Sequence, residues 1–219
     1  MDYNLNFAAV WRSFDLLLGG LGLGLFLAVV SIFIGCLIGI VAAFASFSKS
    51  RAIRGTASGY VTVVRNLPIL VIVLFVYFGL PETGITMGKI ESFVFSLSIY
   101  AGAYLTEVFR AGLLAVPKTV TEAGYAIGLR PLQVKRYVVF PIMLRNALPS
   151  MGNNFISLFK DTSLAAAIAV PELTFHARKI NVETFRVIET WLVASLLYVA
   201  TCYLIAMVLR RIERRYALM

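Results

Sequence analysis

Long apolar stretches alternate with short charged segments along the chain, and this pattern predicts membrane-spanning helices. A bilayer core about 30 Å thick requires roughly 20 helical residues. Five stretches meet this length and are nearly free of charge, near residues 18–46, 57–80, 92–112, 147–170 and 190–209. The sequence therefore predicts an all-α integral membrane protein with five transmembrane helices, which form a single transmembrane domain over residues 1–219.

The composition excludes an ordinary water-soluble enzyme. Hydrophobic residues make up 60% of the chain and charged residues 14%, whereas soluble domains carry about 25% charged residues. A single histidine leaves little material for a histidine-based metal site, so we predict neither a metal site nor a catalytic site. Cys36 and Cys202 lie inside apolar stretches, where we expect buried thiols and no disulfide.

The distribution of basic residues predicts the orientation in the membrane. The segments 49–54, 110–145 and 210–215 hold thirteen of the 20 Lys and Arg residues, and the segments on the opposite side hold five. Because basic residues collect on the cytoplasmic side, we expect the N-terminus outside and the C-terminus in the cytoplasm. The net charge of +9 thus reflects topology, and we expect no nucleic-acid partner.

Glycines recur four residues apart on the first predicted span, at Gly20 and Gly24 and again at Gly35 and Gly39. This spacing lets helix backbones approach closely. It is compatible with packing inside one subunit or with a seam between two subunits.

The segment 114–146 is too polar to cross the membrane and too long for a simple turn. Thr119 or Thr121 can cap a short helix, and Gly128 can end it with a left-handed residue. A second short helix is expected from Pro131 to Pro141. This helix–turn–helix would expose an apolar docking surface formed by Tyr125, Ile127 and Leu129.

The same segment carries a family resemblance. Glu122-Ala123-Gly124, then Gly128-Leu129, then Phe140-Pro141 resemble the cytoplasmic coupling motif of binding-protein-dependent ABC importer permeases. The stretches 64–70, 103–112 and 160–164 resemble the polar amino acid branch of that family.

The resemblance implies a type I ABC importer permease fold, with the loop 114–146 as the coupling element that sits in a groove of a separate ATPase. The coupling residues would be Glu122, Ala123, Gly124, Gly128, Leu129 and Pro141. Glu122 would make a polar contact with the ATPase. Alternatively, it is an ordinary acidic residue stabilised by the dipole of its helix.

The resemblance also implies partners. These are a dimer of ATP-binding subunits, a second permease that is either a copy or a relative of this chain, and an external amino acid-binding protein, all at a bacterial inner membrane. The chain has no P-loop, since the nearest run, residues 84–90, has the wrong spacing and lacks the hydroxyl. We therefore expect no enzyme activity and no cofactor in this chain, with ATP and Mg²⁺ bound by the partner ATPase.

Polar side chains at membrane depth are costly and usually face a partner or a wet cavity. We predict a substrate pathway formed by Arg65, Asn66, Asn154, Lys160, Asp161, Thr162 and Ser163. Alternatively, Arg65 snorkels to the cytoplasmic interface, and Lys160 and Asp161 stabilise helix packing. Glu107 and Arg110, three residues apart, are expected to pair with each other.

The predicted function is import of polar amino acids driven by ATP. Arg65 and Lys160 can meet a carboxylate, which favours glutamate, aspartate or glutamine. The alternative is a gradient-driven secondary transporter or ion channel, for which the embedded charges would form the ion path. His176 is expected to be exposed in the outer loop 171–189, which either contacts the binding protein or is a solvated connection.

Overall fold

The computed structural model describes residues 4–217, so residues 1–3 and 218–219 of the predicted domain and the two chain termini lie outside it. The described residues form helices joined by short turns and contain no β-strand, which confirms the all-α class. The α-helices are Ala8–Arg12 (α1), Phe14–Ser46 (α2), Arg51–Asn66 (α3), Ile69–Leu74 (α4), Lys89–Leu114 (α5), Lys118–Ala126 (α6), Pro131–Gln133 (α7), Phe140–Asp161 (α8), Leu173–Thr184 (α9) and Val187–Ala217 (α10). Tighter or wider helical turns extend several of them, at Phe75–Gly79, Leu80–Thr83, Val134–Val139 and Thr162–Ile168.

Three of the five predicted spans correspond to single helices that are long and apolar enough to cross a bilayer. Within residues 4–217 these are Phe14–Ser46, Lys89–Leu114 and Val187–Arg215. The fourth predicted span corresponds to the second half of α8 and the following 3-10 turn. It carries Lys160 and Asp161 and is not among the helices of residues 4–217 that are long and apolar enough to cross a bilayer.

The second predicted span is not one continuous helix. α3 ends at Asn66 and α4 begins at Ile69, with Pro68 in an extended conformation between them (ψ 132°). Proline has no N–H to donate and disfavours helical geometry at the residue before it, Leu67. The chain therefore breaks at the position where an expectation based on hydropathy alone predicts a continuous span.

The chain divides into two compact units, and each is described by itself. The first comprises the described residues of Met1–Phe33, Leu67–Ser98 and Phe155–Met207. A cluster of buried apolar side chains joins its helices α1, α2, α9 and α10: Val10, Leu17, Leu173, Ala177, Ile180, Val193 and Ala194. Gly20 lies against α9, where a Cβ atom would come within 2.7–2.8 Å of Glu172, Leu173 and His176.

The second unit comprises the described residues of Ile34–Asn66, Ile99–Asn154 and Val208–Met219. Here α2 lies against α5 through two glycines. A Cβ atom at Gly35 would lie 2.7 Å from the Cβ of Ala101, and one at Gly39 would lie 3.0 Å from the Cβ of Leu105. The glycine spacing thus serves packing within one subunit, one of the two interpretations that the sequence left open.

Candidate functional site

The predicted coupling loop, residues 114–146, contains helix α6 and the two helical stretches after it, and we call residues 118–139 the coupling segment. The residue that precedes the helix is Pro117, in an extended conformation, and no side chain caps the first turn. The expected threonine cap is wrong because Thr119 and Thr121 lie inside the helix, where the Thr121 hydroxyl donates to the Lys118 carbonyl at 2.6 Å. Pro117 precedes the first helical residue instead, and its fixed φ is compatible with the start of a helix.

The turn after α6 has the geometry predicted for Gly128. This glycine has φ +87°, in the left-handed region. Its N–H donates to the Tyr125 carbonyl at 2.9 Å, and the Leu129 N–H donates to the Gly124 carbonyl at 3.1 Å. These two bonds form a Schellman motif, which satisfies the last carbonyls of the helix and reverses the chain.

Gly124 lets the two arms of the turn contact each other. The first arm is α6, and the second is the helical stretch from α7 through Val139. It is buried, and a Cβ atom there would lie 3.3 Å from a methyl carbon of Val134 and 3.5 Å from one of Val138. Glu122 and Ala123 point the other way and are exposed. The motif therefore has one residue that packs the segment and two that present a surface.

The second arm does not end at Pro141 as predicted. α7 continues through the π-helical turn Val134–Val139 into α8, and Pro141 is the second residue of α8. A π-helical turn widens the backbone and accommodates a local loss of regular hydrogen bonding. Pro141 can thus lie near the start of a long helix without ending the second arm.

Apolar side chains cover the outer surface of the coupling segment. Tyr125, Ile127, Leu132 and Tyr137, which we call the coupling patch, are 51–78% exposed. Leu129, expected to share this surface, is only partly exposed. The sequence interpretation missed Leu132 and Tyr137, although their position on the second predicted arm was a usable signal. An exposed apolar patch on a pair of short helices suits docking to another protein.

Two predicted pathway residues at the end of α3 make local contacts. The Arg65 guanidinium lies over the Tyr104 ring, 5.0 Å from its centroid, a cation–π geometry. The Asn66 amide donates to the Thr62 carbonyl at 2.7 Å. On α5, Tyr104 and Tyr100 approach each other through their hydroxyls at 3.1 Å. The two tyrosines, four residues apart, were missed in the sequence although their spacing places them on one helix face.

The remaining pathway residues fall in α8 and the turn after it. Asn154, in the second unit, donates to the Ser150 carbonyl at 2.8 Å. In the first unit, Lys160 is exposed, Asp161 and Ser163 are partly buried, and Thr162 is fully buried. The Thr162 hydroxyl donates to the Phe159 carbonyl at 2.7 Å. Thr162 therefore faces protein atoms, including Gly24.

The predicted ion pair on α5 is confirmed. The Arg110 guanidinium contacts the Glu107 carboxylate with two nitrogens, the shorter contact being 2.6 Å. Bidentate pairing of this kind fixes both side chains. The pair borders a cavity of about 300 Å³ that Arg54 also lines.

A buried carboxylate in the first unit was not anticipated. Glu172 is fully buried and accepts hydrogen bonds from the N–H groups of Thr174 and Phe175, both at 2.8 Å, and from the Tyr198 hydroxyl at 3.0 Å. Burial raises its pKa, and these hydrogen bonds act in the opposite direction. The segment 171–189 is therefore anchored to α10 and is largely helical.

His176 lies beside this cluster and is not the exposed loop residue that we expected. It is partly buried, and within residues 4–217 its Nδ1 has no hydrogen-bond partner. Burial lowers its pKa. Because Gly20 packs against it, the histidine is part of the α2–α9 contact.

Comparison with known proteins identifies the family. Residues 35–218 match the model of the family described as the binding-protein-dependent transport system inner membrane component. The chain belongs to this family. It is 34% identical over 212 residues to the glutamine transport system permease protein GlnP of Escherichia coli (strain K12), covering 96% of this chain and 97% of that protein. It is 35% identical over 208 residues to the L-cystine transport system permease protein TcyB of Bacillus subtilis (strain 168), covering 94% and 89%.

Comparison with solved structures supports the same family assignment. The crystal structure of an amino acid ABC transporter with histidines contains a chain that superposes with a TM-score of 0.89, at 30% identity, over 97% of this chain and all of that one. A structure of the MetNI methionine ABC transporter, at 21% identity and a TM-score of 0.77, shares the fold.

The permease is thus a membrane subunit of an amino acid ABC importer, and ATP hydrolysis is carried by separate ATPase subunits. It works with partner ATPase and permease subunits and with a substrate-binding protein. This membership favours the importer over the gradient-driven alternative.

Proposed function

We propose that residues 118–139 of this permease dock on a dimer of ATPase subunits and transmit their closure to the membrane helices. The observation that carries the proposal is the Schellman turn at Gly128, which holds two short arms together and leaves the coupling patch exposed. A rigid turn with an apolar surface is suited to sit in a groove of a partner protein.

The motif residues have distinct roles in this proposal. Glu122 is exposed near the start of α6 and makes no ion pair within residues 4–217, so its carboxylate is free to contact the ATPase. Ala123 lies beside it on the surface. Gly124, Gly128 and Leu129 shape the turn, and Pro141 lies where the second arm continues into α8.

The permease forms the translocation path together with a second permease subunit, which is either a copy of this chain or a related one. Arg65, Asn66, Asn154, Lys160, Asp161 and Ser163 contribute to this path. Thr162 supports it by packing, since its side chain is buried against Phe159 and Gly24. The exposed Lys160 and the Arg65–Tyr104 pair support this assignment most directly.

The cargo is a polar amino acid, with glutamate, aspartate or glutamine favoured. Two cations on the proposed path, Arg65 and Lys160, suit a carboxylate. Relatives whose names specify glutamine support the same preference. An external amino acid-binding protein delivers the cargo, and the ATPase subunits bind ATP and Mg²⁺.

The proposed topology places the N-terminus outside and the C-terminus in the cytoplasm of a bacterial inner membrane. The basic segments 49–54, 110–145 and 210–215 then face the cytoplasm. This orientation puts the coupling segment on the same side as ATP.

A detergent pull-down of the tagged chain from its native host tests the coupling proposal. Mass spectrometry should find an ATPase subunit with the unaltered chain and a strongly depleted amount with Glu122→Lys. The matched control is Glu183→Lys, which makes the same charge change at an exposed position of α9. Equal recovery of the ATPase with all three chains would contradict the assigned docking site.

Uptake kinetics test the proposed path. Asn154→Ala, Lys160→Gln and Asp161→Asn should each alter the apparent KM or the maximal rate of amino acid uptake, with expression held equal. Unchanged kinetics for all three would exclude this part of α8 from the path.

A further inference from the structure

Two cavities adjoin in the second unit, and both are lined by α2 and α3. The first, the α2–α3 groove, has a volume of about 740 Å³. The second, the loop cavity, has about 750 Å³ and lies between the α2–α3 turn and the coupling segment. Ala45 and Ile53 line both cavities. Each volume falls in the range of roughly 300–1,000 Å³ that is typical of ligand sites.

The lining of the α2–α3 groove is mostly apolar. Eight of its ten lining residues have aliphatic side chains. The two hydroxyl groups belong to Thr56 and Tyr60, and both are already used: they donate to the carbonyls of Ala52 at 3.0 Å and Ile99 at 2.7 Å. Among the described lining residues the groove therefore offers no free hydroxyl donor, and it suits a hydrocarbon chain.

Five of the twelve residues that line the loop cavity are polar, and the other seven are apolar. The ammonium-bearing side chains of Lys49 and Lys135 line it, together with hydroxyl-bearing Ser48, Thr121 and Tyr125. Among the residues that the structure describes, no carboxylate lines the cavity. Neither lysine forms an ion pair within residues 4–217. The Thr121 hydroxyl already donates to the Lys118 carbonyl, so the two cations carry the argument: two ammonium groups around one space without an acid are complementary to a phosphate.

We propose that the α2–α3 groove and the loop cavity together bind one anionic phospholipid. An acyl chain lies along the groove, and the phosphate lies between Lys49 and Lys135. The two cavities share Ala45 and Ile53, so the apolar groove adjoins the cavity that the lysines line. A phospholipid has the matching layout, with apolar acyl chains joined to an anionic phosphate. Anionic lipids collect at basic segments on the cytoplasmic side of a membrane, where both lysines lie in the proposed topology.

The bound lipid ties the α2–α3 turn to the coupling segment. Lys49 belongs to the turn that joins two membrane helices, whereas Lys135 belongs to the π-helical turn of the second arm. A phosphate between them adds a charge-assisted link, since no ion pair joins these two segments within residues 4–217. The lipid therefore stiffens the coupling segment against the membrane helices.

Native mass spectrometry of the full chain, purified with the subunits that accompany it, tests the proposal. The protein is exchanged into micelles with equal amounts of phosphatidylglycerol and phosphatidylcholine. We expect one phosphatidylglycerol to be retained. Lys49→Gln with Lys135→Gln should weaken its retention by about fivefold for each lysine removed, which corresponds to about 1 kcal/mol each.

Two further variants separate the lipid from other occupants. Lys118→Gln with Arg130→Gln removes the same charge from exposed positions of the same segment outside both cavities, and it should retain the lipid. Ala52→Phe fills the groove with both lysines intact and should also lose the lipid, whereas a free phosphate would still bind.

Three results would overturn the proposal. The first is that no lipid is retained, as expected if a second subunit fills the groove. The second is equal retention of both lipids, and the third is equal loss from the Lys118→Gln, Arg130→Gln control. The readout is bound lipid, so it does not depend on whether the ATPase docks at the coupling segment.

Discussion

At the scale of the residue, conformation at single positions shapes both the coupling segment and the helix contacts. Gly128 needs a positive φ, and Gly35 and Gly39 need the absence of a side chain. These are different demands. The first concerns backbone energy, and the second concerns space between helices.

Gly128→Ala is expected to destabilise the turn. An L-residue in the left-handed region costs about 1 kcal/mol or more, so the variant should recover less ATPase in a pull-down while the membrane helices stay folded. Gly55→Ala is the matched control, because that glycine lies in α3 with open space around its Cβ position. ATPase recovery that is equal for the two variants would show that the turn does not depend on the glycine.

The buried carboxyl group of Glu172 should make the stability of the folded chain depend on pH. Because burial raises its folded pKa above the usual value of 4.5, its stabilising contribution is fully present below 4.5. That contribution is lost as the pH rises through the folded pKa. The melting temperature of the unaltered chain, minus that of Glu172→Gln, should therefore decrease as the pH rises above 4.5. His176 is present in both proteins, so its titration largely cancels, and a difference that grows with pH would contradict the direction of the shift.

At the scale of the element, the coupling segment is a pair of short arms whose outer surface is apolar. Ile127 is 78% exposed, so it contributes little to the stability of this chain by itself. Its exposure is understandable if another protein covers it.

Ile127→Asp should separate docking from folding. We expect ATPase binding to weaken by about 2 kcal/mol, roughly thirtyfold, if the side chain is a central contact, with no change in melting temperature. Val182→Asp, at a 62% exposed position of α9, is the control. Titration of the purified ATPase against the two variants measures the difference, and equal affinities would remove Ile127 from the interface.

The elements also show which features the sequence could predict. Local sequence patterns were sufficient to predict the helix cap at Gly128, the Glu107–Arg110 ion pair and the three apolar spans. It failed at Pro141, because a π-helical turn accommodates the proline, and at the second span, because hydropathy does not register the break at Pro68. The Glu172–Tyr198 bond joins residues 26 positions apart, and no local pattern indicates such a pair.

At the scale of the whole molecule, the proposed coupling requires an orientation that puts the coupling segment and ATP on one side of the membrane. Basic residues at 49–54 and 210–215 carry this expectation. In the proposed topology, α9 faces the outside, where the binding protein would deliver its cargo.

Labelling of single cysteines tests the orientation. In a background with Cys36→Ser and Cys202→Ser, Arg51→Cys should react with a membrane-impermeant maleimide only after the cells are opened. Glu183→Cys should react in intact cells. Both positions are exposed. The reverse pattern would invert the topology and place the coupling segment away from ATP.

The most direct test of the central claim is a photo-crosslink from position 122 in membranes of the native host. A photoreactive amino acid replaces Glu122, and a second strain carries it at Glu183 as the control. We expect illumination to join the permease to an ATPase subunit from position 122 and not from position 183. An ATPase crosslink from position 183 with none from position 122 would contradict docking at the coupling segment.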